Sequence, residues 1–206
     1  IQHMPEGEWR ANLQTYIDLV ILRDIVERYT VSNAALLKYL THSVIKNAAT
    51  PFSVNKFCND LKSQGRNVKK DTIYAYLDYL SDAFLCFTIP FYSESARLQQ
   101  TRLKKVYVVD NGLIQANSLG TNALYNKLLE NQVYLDLRRQ NKQVYYYKTA
   151  DNYEVDFVAV ASNGDRELIQ VTWDMSDPQT AEREQRALRQ AEQELGAVSY
   201  THLRAH

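Results

Sequence analysis

The sequence predicts a mixed α/β (α+β) chain. A helical region with a winged-helix layout comes first, then a mixed sheet flanked by helices. Three observations predict it. Apolar residues recur at helical spacing up to about residue 85. Two alternating stretches, 85–92 and 105–110, then supply the halves of a two-stranded ribbon. Beyond Gly120 a long helix precedes three strand-like runs and a closing polar helix.

The elements follow in order. Over 8–29, Leu13, Ile17, Val20, Ile21 and Ile25 fall at helical spacing, and Leu36, Leu37, Leu40 and Val44 do so over 33–48. Pro51 breaks the chain and Ser53 is a helix cap. Val54, Phe57, Cys58 and Leu61 make one apolar face, and Gly65 ends that helix. Asp71 or Thr72 opens the next, with Ile73, Tyr76, Leu77 and Leu80 inward. Pro90 marks 85–92 as an edge strand, and Asp110-Asn111-Gly112 reads as a turn. The domain boundary is expected within 112–120. A helix over 122–140 carries Leu124, Leu128, Val133, Leu135 and Leu137. Strands are expected at 144–147, 153–161 and 167–173, the last two joined by an Asn163-Gly164 hairpin, before a helix over 177–195.

Composition bounds the functions. The chain has 206 residues, 45% hydrophobic and 23% charged, with Lys+Arg and Asp+Glu both 24. That is globular composition without the basic excess of a dedicated nucleic-acid binder, although a local basic patch is compatible with it. Cys58 and Cys86 lie on apolar faces and read as reduced thiols of a cytoplasmic protein. The histidines have no metal-ligand spacing, no run is long enough to span a membrane, and no P-loop occurs. The chain does not open on an initiator Met, as expected of a fragment.

The residues that carry chemistry lie in the second half. Glu130 on a helix, Asp156 on a strand, and Gln170 and Thr172 two apart on the next strand follow the order of a metal-nuclease site. A working site has Glu and Lys at the last two positions, so that carboxylates hold Mg²⁺ and the ammonium offsets charge on the phosphate. Glu130 and Asp156 retain a weak metal position; Gln170 is a neutral donor and Thr172 carries no charge. Lys127, one turn before Glu130, and Lys148, on the neighbouring strand, are candidate substitute lysines. In the first half, Lys62, Arg66, Lys69 and Lys70 between the helices, with Arg97, Arg102, Lys104 and Lys105 around the ribbon, are candidate phosphate contacts. Asp71, Asp78 and Asp82 on the would-be recognition helix oppose them.

Taken together, Tyr16…Arg23-Asp24-Ile25, the helix-turn-helix over 53–85, 105–113, Glu130-Asn131-Gln132-Val133-Tyr134-Leu135, Glu154-Val155-Asp156-Phe157 and Ile169-Gln170-Val171-Thr172 resemble one family over residues 9–195. It is that of prokaryotic AAA-type P-loop ATPases with a C-terminal domain of unknown function. The resemblance implies a region following a missing ATPase (1–50), a winged helix (51–115) and a restriction-endonuclease-like PD-(D/E)XK domain (116–197). It implies ATP only in the missing domain, which is then a partner, and at most Mg at Glu130 and Asp156. Residues 198–206 resemble a translated sequencing-adapter stretch and are expected to pack poorly. The function expected is non-catalytic recognition of DNA or a protein partner, coupled to the ATPase and away from membranes. A nuclease with a relocated lysine and a pure protein-interaction platform are the alternatives.

Overall fold

The computed structural model describes residues 5–118, 122–173, 178–196 and 199–204. The fold is mixed α/β and divides into two compact units. One joins Ile1–Thr88 to Val106–Gly120; the other joins Ile89–Lys105 to Thr121–His206. The expected boundary at 112–120 therefore captures only one of the crossings, and Gly120 itself lies outside the described residues.

The first unit begins with α1 (Glu6–Val20), which runs into a π-helical stretch, Ile21–Glu27. Ile17, Ile21 and Ile25, four residues apart, share one buried stripe. Helix α2 (Ala34–Lys46) is capped by Asn33, whose Oδ1 accepts from the Leu36 N–H at 2.9 Å. Pro51 does not simply interrupt the chain; it sits inside β1 (Thr50–Phe52), an edge strand where its missing N–H is tolerated. Ser53 caps α3 (Val54–Ser63) as expected, accepting from the Lys56 N–H at 3.2 Å. Helix α4 (Lys70–Asp82) follows, then β2 (Cys86–Ile89).

The expected ribbon has a different tip. Before β3 (Lys104–Val108) the chain makes α5 (Ala96–Thr101), and residues 89–105 belong to the second unit. The sheet has three strands in the order β1-β3-β2. Asp110-Asn111-Gly112 is a helix start rather than a turn, because Asp110 caps α6 (Asn111–Ala116). Its Oδ1 accepts from the Gly112 N–H at 2.6 Å. A Cβ at position 112 would meet that oxygen at 2.8 Å and Leu13 Cδ1 at 3.1 Å.

In the second unit α7 (Asn122–Arg139) precedes β4 (Gln143–Lys148), β5 (Glu154–Val160) and β6 (Arg166–Thr172). Helix α8 (Pro178–Leu195) and β7 (Ser199–Arg204) complete it, and the expected helix start at Asp177 lies outside the described residues. The order in the sheet is β4-β5-β6-β7. The first three strands form an antiparallel meander, with Val158 opposite Leu168, and β7 runs parallel to β6. Val155, Val158 and Leu168 pack on Ala187, Leu188 and Ala191 of α8. Helix α7 packs on β4 and β6. The alternate residues Phe157, Ala159 and Ile169 are equally buried, so both sheet faces are covered.

The tail differs from expectation, for Ser199–Arg204 pairs with Glu167–Thr172 along its length. Main-chain pairing with an open sheet edge demands little of sequence, which explains why a segment with no apolar pattern can occupy it. Thr201 adds one side-chain bond to Glu167, at 2.7 Å.

The α6 cap gives a first prediction. Asp110→Ala leaves the Gly112 N–H without its acceptor and should lower stability by about 1 kcal/mol. Urea unfolding measures it. An unchanged midpoint would mean that the cap contributes nothing.

Candidate functional site

Strand β3 delivers the central residue. The Tyr146 hydroxyl donates to the Leu103 carbonyl, which fixes the approach to Lys105. The Tyr146 ring lies 5.9 Å from the Lys105 ammonium. Residues 90–92 lie along β4 and hold Tyr146 from the other side: the Tyr92 N–H donates to the Tyr146 carbonyl at 2.7 Å, and the Tyr146 N–H to Pro90 at 3.2 Å.

Lys105 is 1% exposed, among the most buried side chains described. Its Nζ stands 2.9 Å from Glu130 Oε1 on α7, 2.8 Å from Glu154 Oε1 and 3.4 Å from Asp156 Oδ1, both on β5. Lys148, at the end of β4, reaches the other Glu154 oxygen at 3.2 Å.

Beyond the Phe157–Ile169 pair, side chains take over from the β5–β6 ladder. The Asp156 N–H donates to Gln170 Oε1 at 3.2 Å, and the Val171 N–H donates to Asp156 Oδ2 at 2.9 Å. The Gln170 amide nitrogen donates to Glu184 on α8, whose Oε1 accepts from Arg183 at 2.7 Å. Both polar atoms of Gln170 are thus committed to protein partners. Beside the cluster lies a cleft of about 250 Å³ lined by Glu154, Asp156, Gln170, Arg183 and Glu184. It is smaller than the usual small-molecule pocket of about 300–1,000 Å³.

At Asp156, burial, then Glu130, outweigh the pull of Lys105 and push its pKa up to about 8. For Lys105, burial alone would lower the pKa, but Glu130, Asp156 and Glu154 overcome it and hold the ammonium charged well above the ordinary range. Glu154 is pushed up by burial and pulled down further by Lys105 and Lys148, so its pKa is lowered.

These distances test the metal site implied by Glu130 and Asp156. A divalent ion needs several oxygens within about 2.0–2.6 Å of one point. The point where the Glu130 and Asp156 oxygens converge is taken by the Lys105 nitrogen, and the Gln170 oxygen is turned to a backbone N–H. Among the described residues, no group of three or more His, Cys, Asp or Glu side chains is disposed to hold a metal. The residues do not fit the ion.

The structure brings Glu130 and Asp156 together as the sequence suggested, and Thr172 is buried at the end of β6. Lys148 reaches Glu154, and the ammonium that meets both Glu130 and Asp156 is that of Lys105, which is buried. Its signal was its phase. Lys105 opens the run Val106-Tyr107-Val108, buried on both faces, so no side of that strand offers it solvent. Glu154 and Glu184 were also missed as partners; each is a charged residue in register with apolar neighbours.

The other basic candidates divide between the units. Lys62, Lys69 and Lys70 are exposed around α3 and α4, and the Arg66 guanidinium lies over Tyr39 at 5.8 Å. Asp71, Asp78 and Asp82 are exposed on α4, and Asp82 accepts from Tyr29 at 2.7 Å. In the second unit Arg97 and Lys104 are exposed, and the Arg102 guanidinium lies over Phe91 at 5.4 Å.

Residues 2–124 match the domain of unknown function DUF8612. The chain belongs to the DUF8612 family. Residues 125–205 of this DUF8612 chain match a second domain of unknown function, DUF4143. An uncharacterised protein of Methanocaldococcus jannaschii is 34% identical over 187 residues, 89% of this chain and 41% of that protein. An uncharacterised protein of Haemophilus influenzae is 31% identical over 148 residues, 71% of this chain and 36% of that protein. The chain therefore spans less than half the length of either relative. No solved structure matches it.

The Asp156 carboxyl gives a prediction with a definite sign. A carboxyl whose pKa is raised on folding stabilises the protonated fold. That stability is full below its unfolded value of 3.8 and is lost as pH rises through about 8. Between about pH 5 and pH 9, the parent chain should lose at least about 2 kcal/mol relative to Asp156→Asn. Urea unfolding of both across that window checks it. A pH-independent difference would contradict the assignment.

Proposed function

We propose that the chain is the non-catalytic recognition and coupling region of a longer AAA-type ATP-binding protein, and that it docks DNA or a protein partner without cutting nucleic acid. The observation that carries this is the Lys105 ammonium between Glu130 and Asp156, together with the committed amide of Gln170 and the uncharged Thr172. Phosphodiester cleavage needs positive charge aimed at the developing phosphorane, and losing one such group reduces rate by about two to three decades.

Other features support the setting. The order α7-β4-β5-β6-α8 supports the PD-(D/E)XK resemblance. DUF4143 often stands at the C-terminus of ATPases, and the relatives are more than twice as long as the part matched. Cys58 and Cys86 are free, which fits a reducing, cytoplasmic setting. No helix among the described residues is long and apolar enough to cross a membrane.

For the partner, a protein is favoured by Tyr16, Leu19 and Leu22. These are 52%, 47% and 51% exposed at three-residue spacing on α1 and its π-helical continuation. DNA is favoured by Lys62, Lys69 and Lys70, and opposed by the three aspartates of α4.

A nuclease with a relocated lysine is the second reading. Lys105 is the observation on its side, because a lysine does reach both carboxylates. Against it stands the burial of that lysine, which leaves no room for a phosphate at its nitrogen.

Incubating the chain with Mn²⁺ and mixed DNA and RNA should give no cleavage. Cleavage that disappears in Asp156→Ala would sink the non-catalytic reading. Binding to labelled duplex DNA should, if present, fall steeply with salt and weaken when Lys69 and Lys70 are both changed to Ala. Salt-independent binding would remove DNA from the account.

A further inference from the structure

We infer that a cleft in the second unit binds a nucleotide, with Arg102 and Arg166 for its phosphate, a ring wall for its base and Glu94 for an exocyclic amine. The inference goes beyond the non-catalytic reading. The cleft shares no lining residue with the Lys105 cluster, with the cleft beside it, or with the lysines of α3 and α4.

Residues 89–105 build one side of it. The Phe91–Tyr146 bridge lays the chain along β4. The chain then turns, because the Ser93 hydroxyl accepts from the Ser95 N–H at 3.1 Å and the Ser95 hydroxyl caps α5 by accepting from the Leu98 N–H at 3.4 Å. The Gln99 amide donates back to the Ser93 carbonyl at 2.8 Å. Leu98 on α5 and Arg102 just after it thereby reach the cleft. Arg166 at the start of β6 and Leu195 at the end of α8 line it as well. The space is about 400 Å³, which lies within the usual small-molecule range of about 300–1,000 Å³.

The polar lining says what fits. Among the described residues neither guanidinium lies within ion-pair distance of a carboxylate. Arg102 lies over the Phe91 ring at 5.4 Å, and Arg166 donates to the Tyr92 hydroxyl at 3.0 Å. Stacking on a ring holds a guanidinium in place and leaves its in-plane N–H groups for an oxyanion, and phosphate matches that fork. The Phe91 and Tyr147 rings stack with centroids 5.6 Å apart. The Tyr147 hydroxyl donates to Glu194 at 2.7 Å. Burial, then that bond, raises the Tyr147 pKa, so the phenol stays neutral. A fixed ring beside the exposed Leu98 suits a flat base.

The two carboxylates of the lining differ. Both Glu194 oxygens are committed, to Tyr147, the Ala150 N–H and Gln190. Glu94 is exposed on the turn. Two guanidiniums balanced by two carboxylates do not favour a bare anion. They favour a ligand that carries an oxyanion and N–H donors together. Adenine and cytosine nucleotides do, since a carboxylate accepts from the exocyclic amine; thymine has no such amine.

The test uses the full chain in EDTA, with titration calorimetry as the measurement. The probes are inorganic phosphate, the deoxynucleoside monophosphates of adenine, cytosine and thymine, and short single strands of the same bases. Adenine and cytosine nucleotides should bind about tenfold more tightly than the thymine nucleotide, with phosphate weaker still. Arg102→Ala/Arg166→Ala should lose about tenfold or more in affinity. Glu94→Ala should bring the three bases together. Equal affinity for mononucleotides and strands marks a free nucleotide as the ligand; tighter binding of strands marks a unit of a single strand. Circular dichroism checks the fold of each variant. If the double variant is unfolded, Glu94→Ala and Arg102→Lys, which keeps the charge and loses the fork, carry the test, and Arg102→Lys should bind severalfold more weakly.

Absence of nucleotide binding at millimolar concentration overturns the inference. So does phosphate that binds as well as the nucleotides, or equal affinity of the parent chain for all three bases. Affinity unchanged in the folded double variant, or in Arg102→Lys and Glu94→Ala where the double variant does not fold, overturns it too. Cleavage of the strands in Mn²⁺ ends the non-catalytic reading by itself and leaves this inference to the binding data.

Discussion

One ammonium group ties the second unit together. Lys105, itself 1% exposed, takes hydrogen-bonding positions against Glu130 from α7 and against Glu154 and Asp156 from β5. Bringing a charged group into such surroundings is expensive, and the attraction offsets that cost only if every charge finds a partner. Lys148 shares Glu154, the Val171 N–H supports Asp156, and burial raises the Asp156 pKa. Removing one member of such a set leaves buried charge uncompensated, which typically costs about 3–5 kcal/mol. The arrangement therefore constrains β3, β5 and α7 at once.

The same cluster decides what the site can do. It joins one carboxylate from a helix, two from a strand and a lysine from another strand. Gln170 bonds a backbone N–H and Glu184, and the cation between the carboxylates is covalently part of the chain. The packing of the second unit rests on Val158, Leu168, Leu188 and their neighbours rather than on the acids.

Much of the fold was legible in the chain. Helical spacing gave α2, α3, α4 and α7, Ser53 gave its cap, and Asn163-Gly164 gave the β5–β6 turn, where Gly164 has φ of 88°. Short-range chemistry decides those features. The failures were of another kind. Asp110-Asn111-Gly112 has turn composition, but a capping Asp and a turn Asp look alike until the following residues are known to be helical. Helix α5 is too short and polar to show a period. At the site, Glu130, Asp156 and Gln170 were legible because they sit at fixed spacings in regular elements. Lys105 was not, because its partners lie 25 to 51 residues away and only tertiary packing brings them to it. Beside the exposed Lys104 it looked like one more surface charge.

That neighbouring pair supplies the most direct test. Lys104 is exposed and Lys105 buried, one residue apart on the same strand. Acylating the native chain with a limiting amine reagent and mapping modified lysines by mass spectrometry compares them under identical conditions. The account predicts rapid modification of Lys104 and protection of Lys105 by at least about tenfold, lost on unfolding, since a buried, ion-paired ammonium presents no free amine. Equal reactivity of the two in the folded chain would contradict it.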